Sequence, residues 1–388
     1  MKKLFSFLLK VIICVLALYI GVYIGNAILD MSDPWGNSEP VELTQVGSPY
    51  KVYYDELSSI EKHAYNEILT NIYDLPESIR IPGIDGEQLN SVFTALLCDN
   101  PDLFFVGRKC SLSSKMAITN CSVEYILTKE EYAEQKALLE EKCTEVISSL
   151  TDPDDEWQTE LEIHDYIIEN CEYKIVDSEF VYSSAYGAIV NGEAACEGYS
   201  KAAKLLFDMV GIESAVISGN SSTPETEEGP HMWNAVKING DFYHLDCTWD
   251  DPVNENGKPV KTYSYFNVSD EMISATHSDF SYDFGCEATH ENYYEKTGRY
   301  FTSYDRSDEK ELAELLVKEL ENGGSMLQLR FGSKQVYKNA KSDLIDGERI
   351  YNVLRMAKGK TDVGFSMDSL SYYKDSDRLL LTFIIETN

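Results

Sequence analysis

Apolar positions in this chain recur first at helical spacing. "DELSSIEKHAYNEILTNIYDL" places Leu57, Ile60, Ala64, Ile68 and Ile72 on one face, the 3.6-residue period of an amphipathic helix. "DGEQLNSVFTALLCDNPDLFFV" predicts a second helix stopped before Pro101, followed by an apolar, strand-like end. Residues 108–127 alternate weakly and predict strands. A long charged helix follows over Lys129–Leu150, broken by "TDPDD", and another over 156–170 carries His164. In "KAAKLLFDMVGI", Ala202, Leu205, Leu206 and Met209 keep the helical period up to Gly211.

The period then changes. "HMWNAVKINGDFYHLDCTWDDP" alternates on both sides of Asn239-Gly240, the strongest short signal for a hairpin. Farther on, "SDEKELAELLVKELENGG" predicts a helix with a Gly-Gly stop at 323–324. Its capping box is imperfect, since Lys310 stands where a Glu would complete the pair with Ser307. "SMLQLRF" predicts a strand, 333–357 a broken helix, and "LSYYKDSDRLLLTFIIET" a hairpin turning at Asp375–Asp377.

These elements predict an α+β chain in five parts: an N-terminal segment over 1–30, a Pro/Gly/Ser-rich spacer over 31–53, a helical and strand extension over 54–150, a core over 151–300, and a small α/β unit over 301–388. The first part begins "MKKLFSFLLK" and continues as 19 uncharged residues from Val11 to Leu29. As a helix rising ~1.5 Å per residue, that run matches the thickness of a bilayer core. Lysines precede it and Asp30 and Asp33 follow, which predicts a single-pass anchor with its N-terminus in the cytoplasm and the rest outside. A cleavable signal peptide has a shorter apolar core and a small-residue cleavage site, and neither fits here.

Charge narrows the partners. The 388 residues include 66 acidic and 33 basic side chains, a net charge of -33 at pH 7. Such a field repels phosphate backbones, so nucleic acid is excluded as a partner. Of nine cysteines, eight lie beyond the anchor and are scattered without a dense disulfide framework. Cys110 and Cys121 flank "SLSSKMAITN" and are placed to pair across a hairpin. No CxxC or CxxH pair occurs, so neither a metal nor a cofactor is expected.

Candidate chemistry concentrates in two stretches. "GEAACEGYSKAA" sets Cys196 in the first turn of a helix, where unpaired N–H groups and the helix dipole favour thiolate over thiol. Gly198 weakens that helix by ~1 kcal/mol relative to Ala, which predicts a close approach to its backbone. In the hairpin, a two-residue Asn239-Gly240 loop pairs Trp233 with Asp246, His231 with Thr248 and Ala235 with His244. His231, Trp233, Asp246 and Thr248 then share one face, with His231 and Asp246 diagonal neighbours at ~7–8 Å between Cβ atoms. A carboxylate between Leu245 and Cys247 needs a partner. His231 is preferred over His244 as the base, and "SGNSSTPETEEGP" before it predicts a mobile rim of a cleft.

A cysteine beside an imidazole oriented by a carboxylate supports acyl transfer through a thioester. The two stretches, "AYGAIVNGEAACEGYSKAAKLLFDMVGI" and "HMWNAVKINGDFYHLDCTWDDP", resemble the transglutaminase-like superfamily, a branch of the papain-like fold. Cys196, Gly198 and Tyr199 match its nucleophile motif. His231, Trp233, Asn234 and Val236 match the base motif, and Asp246, Thr248, Trp249 and Asp250 the acid motif. The resemblance implies a nucleophile helix packed on an antiparallel sheet and a Cys196–His231–Asp246 triad. Tyr186 and Trp233 are candidates for the oxyanion side and the substrate cleft. It also implies a membrane-anchored bacterial type acting on peptide or protein amides, including cell-wall-associated ones, as a peptidase, an amidase or a transglutaminase. A catalytically silent module binding peptide or cell-wall components through the same cleft is the alternative. A further one is a vestigial cleft, with the C-terminal unit as the interaction domain.

Overall fold

Ser58 and Glu61 close a capping box on the first turn of α1 (Ser59–Ile72); of the predicted apolar face Ala64, Ile68 and Ile72 are fully buried, joined by Tyr65 and Leu69, while Ile60 is half-buried and Leu57, also half-buried, precedes the helix. A second capping box, Asp85 with Gln88, starts α2 (Gly86–Asp99), which buries Leu89, Val92, Phe93 and Leu96 against α1. Full burial of each large aliphatic side chain contributes about 2 kcal/mol. In this computed structural model, residues 19–20, 47–115, 118–176, 180–222, 227–252 and 261–387 are described. The chain divides into two compact units, Met1–Ser218 with Pro230–Asn234, and Gly219–Gly229 with Ala235–Asn388.

In the first unit, strands β1 (Ile79–Ile81), β2 (Val106–Lys115) and β3 (Ile118–Tyr125) form an antiparallel sheet in the order β1-β3-β2. The apolar "LFF" before Val106 is buried turn rather than strand. Cys110 and Cys121 lie on paired strands, but the register sets Cys110 opposite Val123 and Leu112 opposite Cys121. The two thiols are thus diagonal neighbours, and neither they nor the other described cysteines form a disulfide. Helices α3 (Lys129–Ser149) and α4 (Glu156–Asn170) start under the Thr128 and Asp155 side chains. Helix α5 (Cys196–Val210) follows, and Gly211 closes it at φ +80°, as the sequence predicts.

The end of the predicted spacer is bound to α5. Lys204 is fully buried, and its Nζ donates to Ser48 Oγ, the Tyr50 carbonyl, Asp208 Oδ1 and the Ser214 carbonyl at 3.0–3.2 Å. Tyr50 and Tyr53 donate their hydroxyls to the carbonyls of Gly211 and Val216. No helix among the described residues is long and apolar enough to cross a membrane. The predicted anchor, Val11–Leu29, lies outside the described residues except for Tyr19 and Ile20.

Strands β4 (Ser214–Ser221) and β5 (Gly229–Ile238) contribute residues to both units. The polar loop between them shrinks to 222–228, of which 223–226 lie outside the described residues. In the second unit β5 turns into β6 (Asp241–Leu245) through Asn239 and Gly240, at φ +52° and +98°. Positive φ at both positions matches the twist of a two-residue hairpin. The end of β4 pairs with β7 (His277–Ser278), Asn220 opposite Ser278 and Ser221 opposite His277.

The C-terminal part of this unit has a mixed sheet in the order β8-β9-β11-β10, from β8 (Tyr300–Phe301), β9 (Met326–Phe331), β10 (Ser371–Asp375) and β11 (Leu380–Ile384). One face, with Leu327, Leu329, Phe331, Leu381 and Phe383, forms a core with α6 (Glu309–Glu321) and α8 (Ile350–Lys358). A short turn capped by Asp305 precedes α6, which replaces the imperfect capping box read at Ser307. The broken helix of the sequence is α7 (Lys334–Lys341) and α8, separated by a wide turn in which Glu348 takes φ +55°.

Candidate active site

Cys196 is the first residue of α5 and half-buried. Unlike α2, α3 and α4, this helix has no side-chain cap, because its N-cap is Ala195. Its first-turn N–H groups are thus left to other acceptors. The close approach predicted at Gly198 is present. A Cβ there would lie 2.7 Å from both the Ala194 Cβ and the Tyr182 carbonyl oxygen. That contact allows Ala195 N–H to reach the Tyr182 carbonyl at 2.7 Å, which fixes the chain entering the helix. The Glu197 carboxyl is raised by burial, but Lys201 and Arg108, both in ion pairs with it, hold it below its ordinary range.

His231 and Trp233 are buried on β5, and their rings stack with centroids 6.0 Å apart and 17° between planes. Asn234 fastens the same strand to the helix. Its Nδ2 donates to the carbonyl of Ser200 at 2.9 Å and to that of Ala215 at 3.3 Å. Ser200 stands one helical turn beyond Cys196 and donates its hydroxyl to the Cys196 carbonyl. The sequence quoted Asn234 as part of a motif without assigning it this bond.

Asp246 departs from the predicted ladder. Strand β6 ends at Leu245, and the carboxylate turns the chain: Oδ1 accepts the N–H groups of Thr248 and Trp249 at 3.0 and 3.1 Å. An acceptor placed two and three residues upstream draws these N–H groups out of a sheet, so the expected pairing as far as Thr248 does not form. The side chain is nearly fully buried, and its Oδ2 pairs with His277 Nε2 at 3.1 Å. His277 is the residue sequence reasoning missed. "SATHSDF" has no motif around it, and its partner lies 31 positions upstream.

The network extends past His277. Its Nδ1 lies 2.9 Å from Thr276 Oγ1, which is 3.1 Å from the Tyr265 hydroxyl. Tyr265 accepts from Nε and Nη2 of Arg378, both at 3.2 Å. Trp249 packs edge-on to Tyr265. A polar chain thus runs from Asp246 to the C-terminal hairpin.

The other singled-out residues have local partners. His244 is buried, its Nε2 lies 2.8 Å from Asp270 Oδ1, and burial pushes its pKa down. Its ligand atom and those of Asp270 and Cys286 lie within 4.8 Å of one another, close enough to gather a cation. The imidazole–carboxylate hydrogen bond and a thiol pushed up by burial account for that group without one. Tyr186 is buried and stacks on Phe104, with centroids 5.4 Å apart.

A superfamily match covers the stretch that carries this geometry. The family model described as the transglutaminase-like superfamily matches residues 143–247. Residues 143–247 are a transglutaminase-like domain. Cys196, His231 and Asp246 all lie within the domain, whereas His277 lies beyond its end. A crystal structure of a TGase aligns at 15% identity over 44% of this chain and 50% of its own, with a TM-score of 0.28. A candidate cysteine protease from Cytophaga hutchinsonii aligns at 15% identity over 39% of this chain and 65% of its own, at 0.25. A candidate protease from Parabacteroides distasonis aligns at 10% identity over 40% of each chain, at 0.20. The chain thus spans less than two thirds of each of these proteins. No curated protein matches it.

Proposed function

We propose that this transglutaminase-like domain is a cysteine-dependent acyl-transfer enzyme acting on peptide or protein amides. The observation that carries the reading is the Asn234 clamp, which ties the strand of His231 to α5 one turn beyond Cys196. In this reading His231 takes the Cys196 proton, and the sulfur attacks the amide carbonyl. The backbone N–H at the uncapped start of α5 stabilises the oxyanion. Collapse expels the amine, which leaves with the proton from His231, and forms a thioester. Water then attacks the thioester, releases the acid and restores the thiol; a primary amine in place of water gives a new amide. Asp246 is the acid that orients the imidazole. The Val11–Leu29 run tethers the enzyme, with the domain outside the cell.

Iodoacetamide labelling across pH tests this, because several competing thiols are suppressed: burial pushes Cys98, Cys121 and Cys143 up to about 12. Preferential modification of Cys196 below pH 7, lost in His231→Ala, is the expected result. If Cys196 alkylates only in the alkaline range of an ordinary thiol, the catalytic reading fails and a silent binding module takes its place. Turnover of amide substrates with and without a primary amine separates hydrolysis from transfer.

A further inference from the structure

The second unit contains a cavity of about 560 Å³, a volume typical of small-molecule sites. Its floor is apolar, with Tyr265, Val268, Met272 and Ala275 from the segment before β7. Its opposite wall comes from the C-terminal sheet: Arg330 on β9, Lys374 and Asp375 at the end of β10, and Asp377 and Arg378 in the β10–β11 turn. Lys334 at the start of α7 completes it.

The charges in this wall do not cancel. Arg378 and Asp375 satisfy each other, with Nη1 at 2.9 Å from Oδ2, and Asp375 Oδ1 also accepts the N–H groups of Asp377 and Arg378. That leaves Arg330, Lys334 and Lys374 facing a single further carboxylate, Asp377. None of the three cations has a carboxylate partner among the described residues. In a chain with 66 acidic and 33 basic side chains, carboxylates are in twofold excess. Three cations unpaired around one cavity are therefore not a by-product of composition. Arg330 is the most telling. Its side chain is half-buried, its Cζ lies 5.8 Å from the centre of the Tyr294 ring, and its Nη1 is closed off from solvent without a hydrogen-bond partner. Arg330 lines the cavity, and an anion bound there would meet a guanidinium that has no carboxylate of its own.

We infer that this cavity binds a small organic anion, a carboxylate or a phosphate ester with an apolar body. Its charge would sit among Arg330, Lys334 and Lys374, and its body on Tyr265 and Met272. The cations of the site all come from the 301–388 segment, in which the sequence places no candidate catalytic residue, and the site does not depend on the activity of Cys196.

The test is calorimetric titration of the full-length chain, in detergent, with succinate, phenyl phosphate and inorganic phosphate as separate probes. Succinate or phenyl phosphate should bind, more weakly as salt is raised, and Arg330→Met should weaken that binding about tenfold or more. Lys374→Ala, at the exposed rim, should weaken it less while leaving the thermal unfolding midpoint unchanged, which separates lost binding from lost folding. Tighter binding of succinate than of phenyl phosphate assigns a carboxylate ligand; the reverse assigns a phosphate ester. Binding of inorganic phosphate alone, no binding of any probe, or binding untouched by both substitutions overturns the inference.

Discussion

At the scale of single residues, burial decides which side chains carry chemistry and which only hold structure. Asp99 holds structure. Its carboxylate accepts the N–H groups of Tyr53 and Tyr54, yet burial pushes it up to about 7. Its pKa in the unfolded chain is near 4, so between about pH 4 and pH 7 the unfolded state ionises while the folded state keeps the proton. The wild-type chain should thus lose stability at this site as pH rises through that window. Asp99→Asn, which does not titrate, should gain on the wild type over the same range, by a few kcal/mol at most. Urea unfolding of both proteins at several pH values measures the difference. A difference that stays flat would show that Asp99 is not protonated in the fold. Asp208, pushed up to about 6 by burial, titrates in both proteins and drops out of the comparison.

At the scale of elements, what the sequence revealed and what it concealed follow from the range of the interactions. Helices α1 to α5 were legible because a helical apolar period and, after α2 and α5, a Pro or Gly are local properties, and Asn239-Gly240 fixed its turn for the same reason. Cys196 at a helix start was legible too. The end of β6 was not, because Asp246 diverts the ladder through its own side chain. The Asp246–His277 pair was hidden as well, since it joins residues 31 apart with no spacing rule. Asn234 lies between these cases: visible as a motif position, invisible as a clamp. Asn234→Ala should cost about 1–3 kcal/mol in denaturant unfolding, because two buried hydrogen bonds, to the Ser200 and Ala215 carbonyls, are lost. It should also slow alkylation of Cys196 under native conditions, in a protein whose circular dichroism is unchanged. Unaltered alkylation would mean that the clamp serves stability alone.

At the scale of the whole molecule, the C-terminal part is joined to the segment before it by buried polar bonds. Gln328 accepts from the Tyr294 hydroxyl and donates to the Lys261 carbonyl, and Arg378 donates to Tyr265. A chain ending after residue 300 should therefore be cut faster by trypsin at Lys261 and Lys296 than the full chain, in limited proteolysis at equal temperature. Equal rates would show that 301–388 folds without supporting its neighbour. The hydrogen-bonded path from Asp246 to Arg378 bears on how such proteins can be recombined. The superfamily match ends at Cys247, one residue after Asp246, while His277, Thr276, Tyr265 and Arg378 all lie downstream. A graft of the matched segment into a relative would carry Asp246 and leave its hydrogen-bond partners behind. The network around Asp246 extends 131 residues past the end of the stretch by which the domain is recognised (378 − 247 = 131).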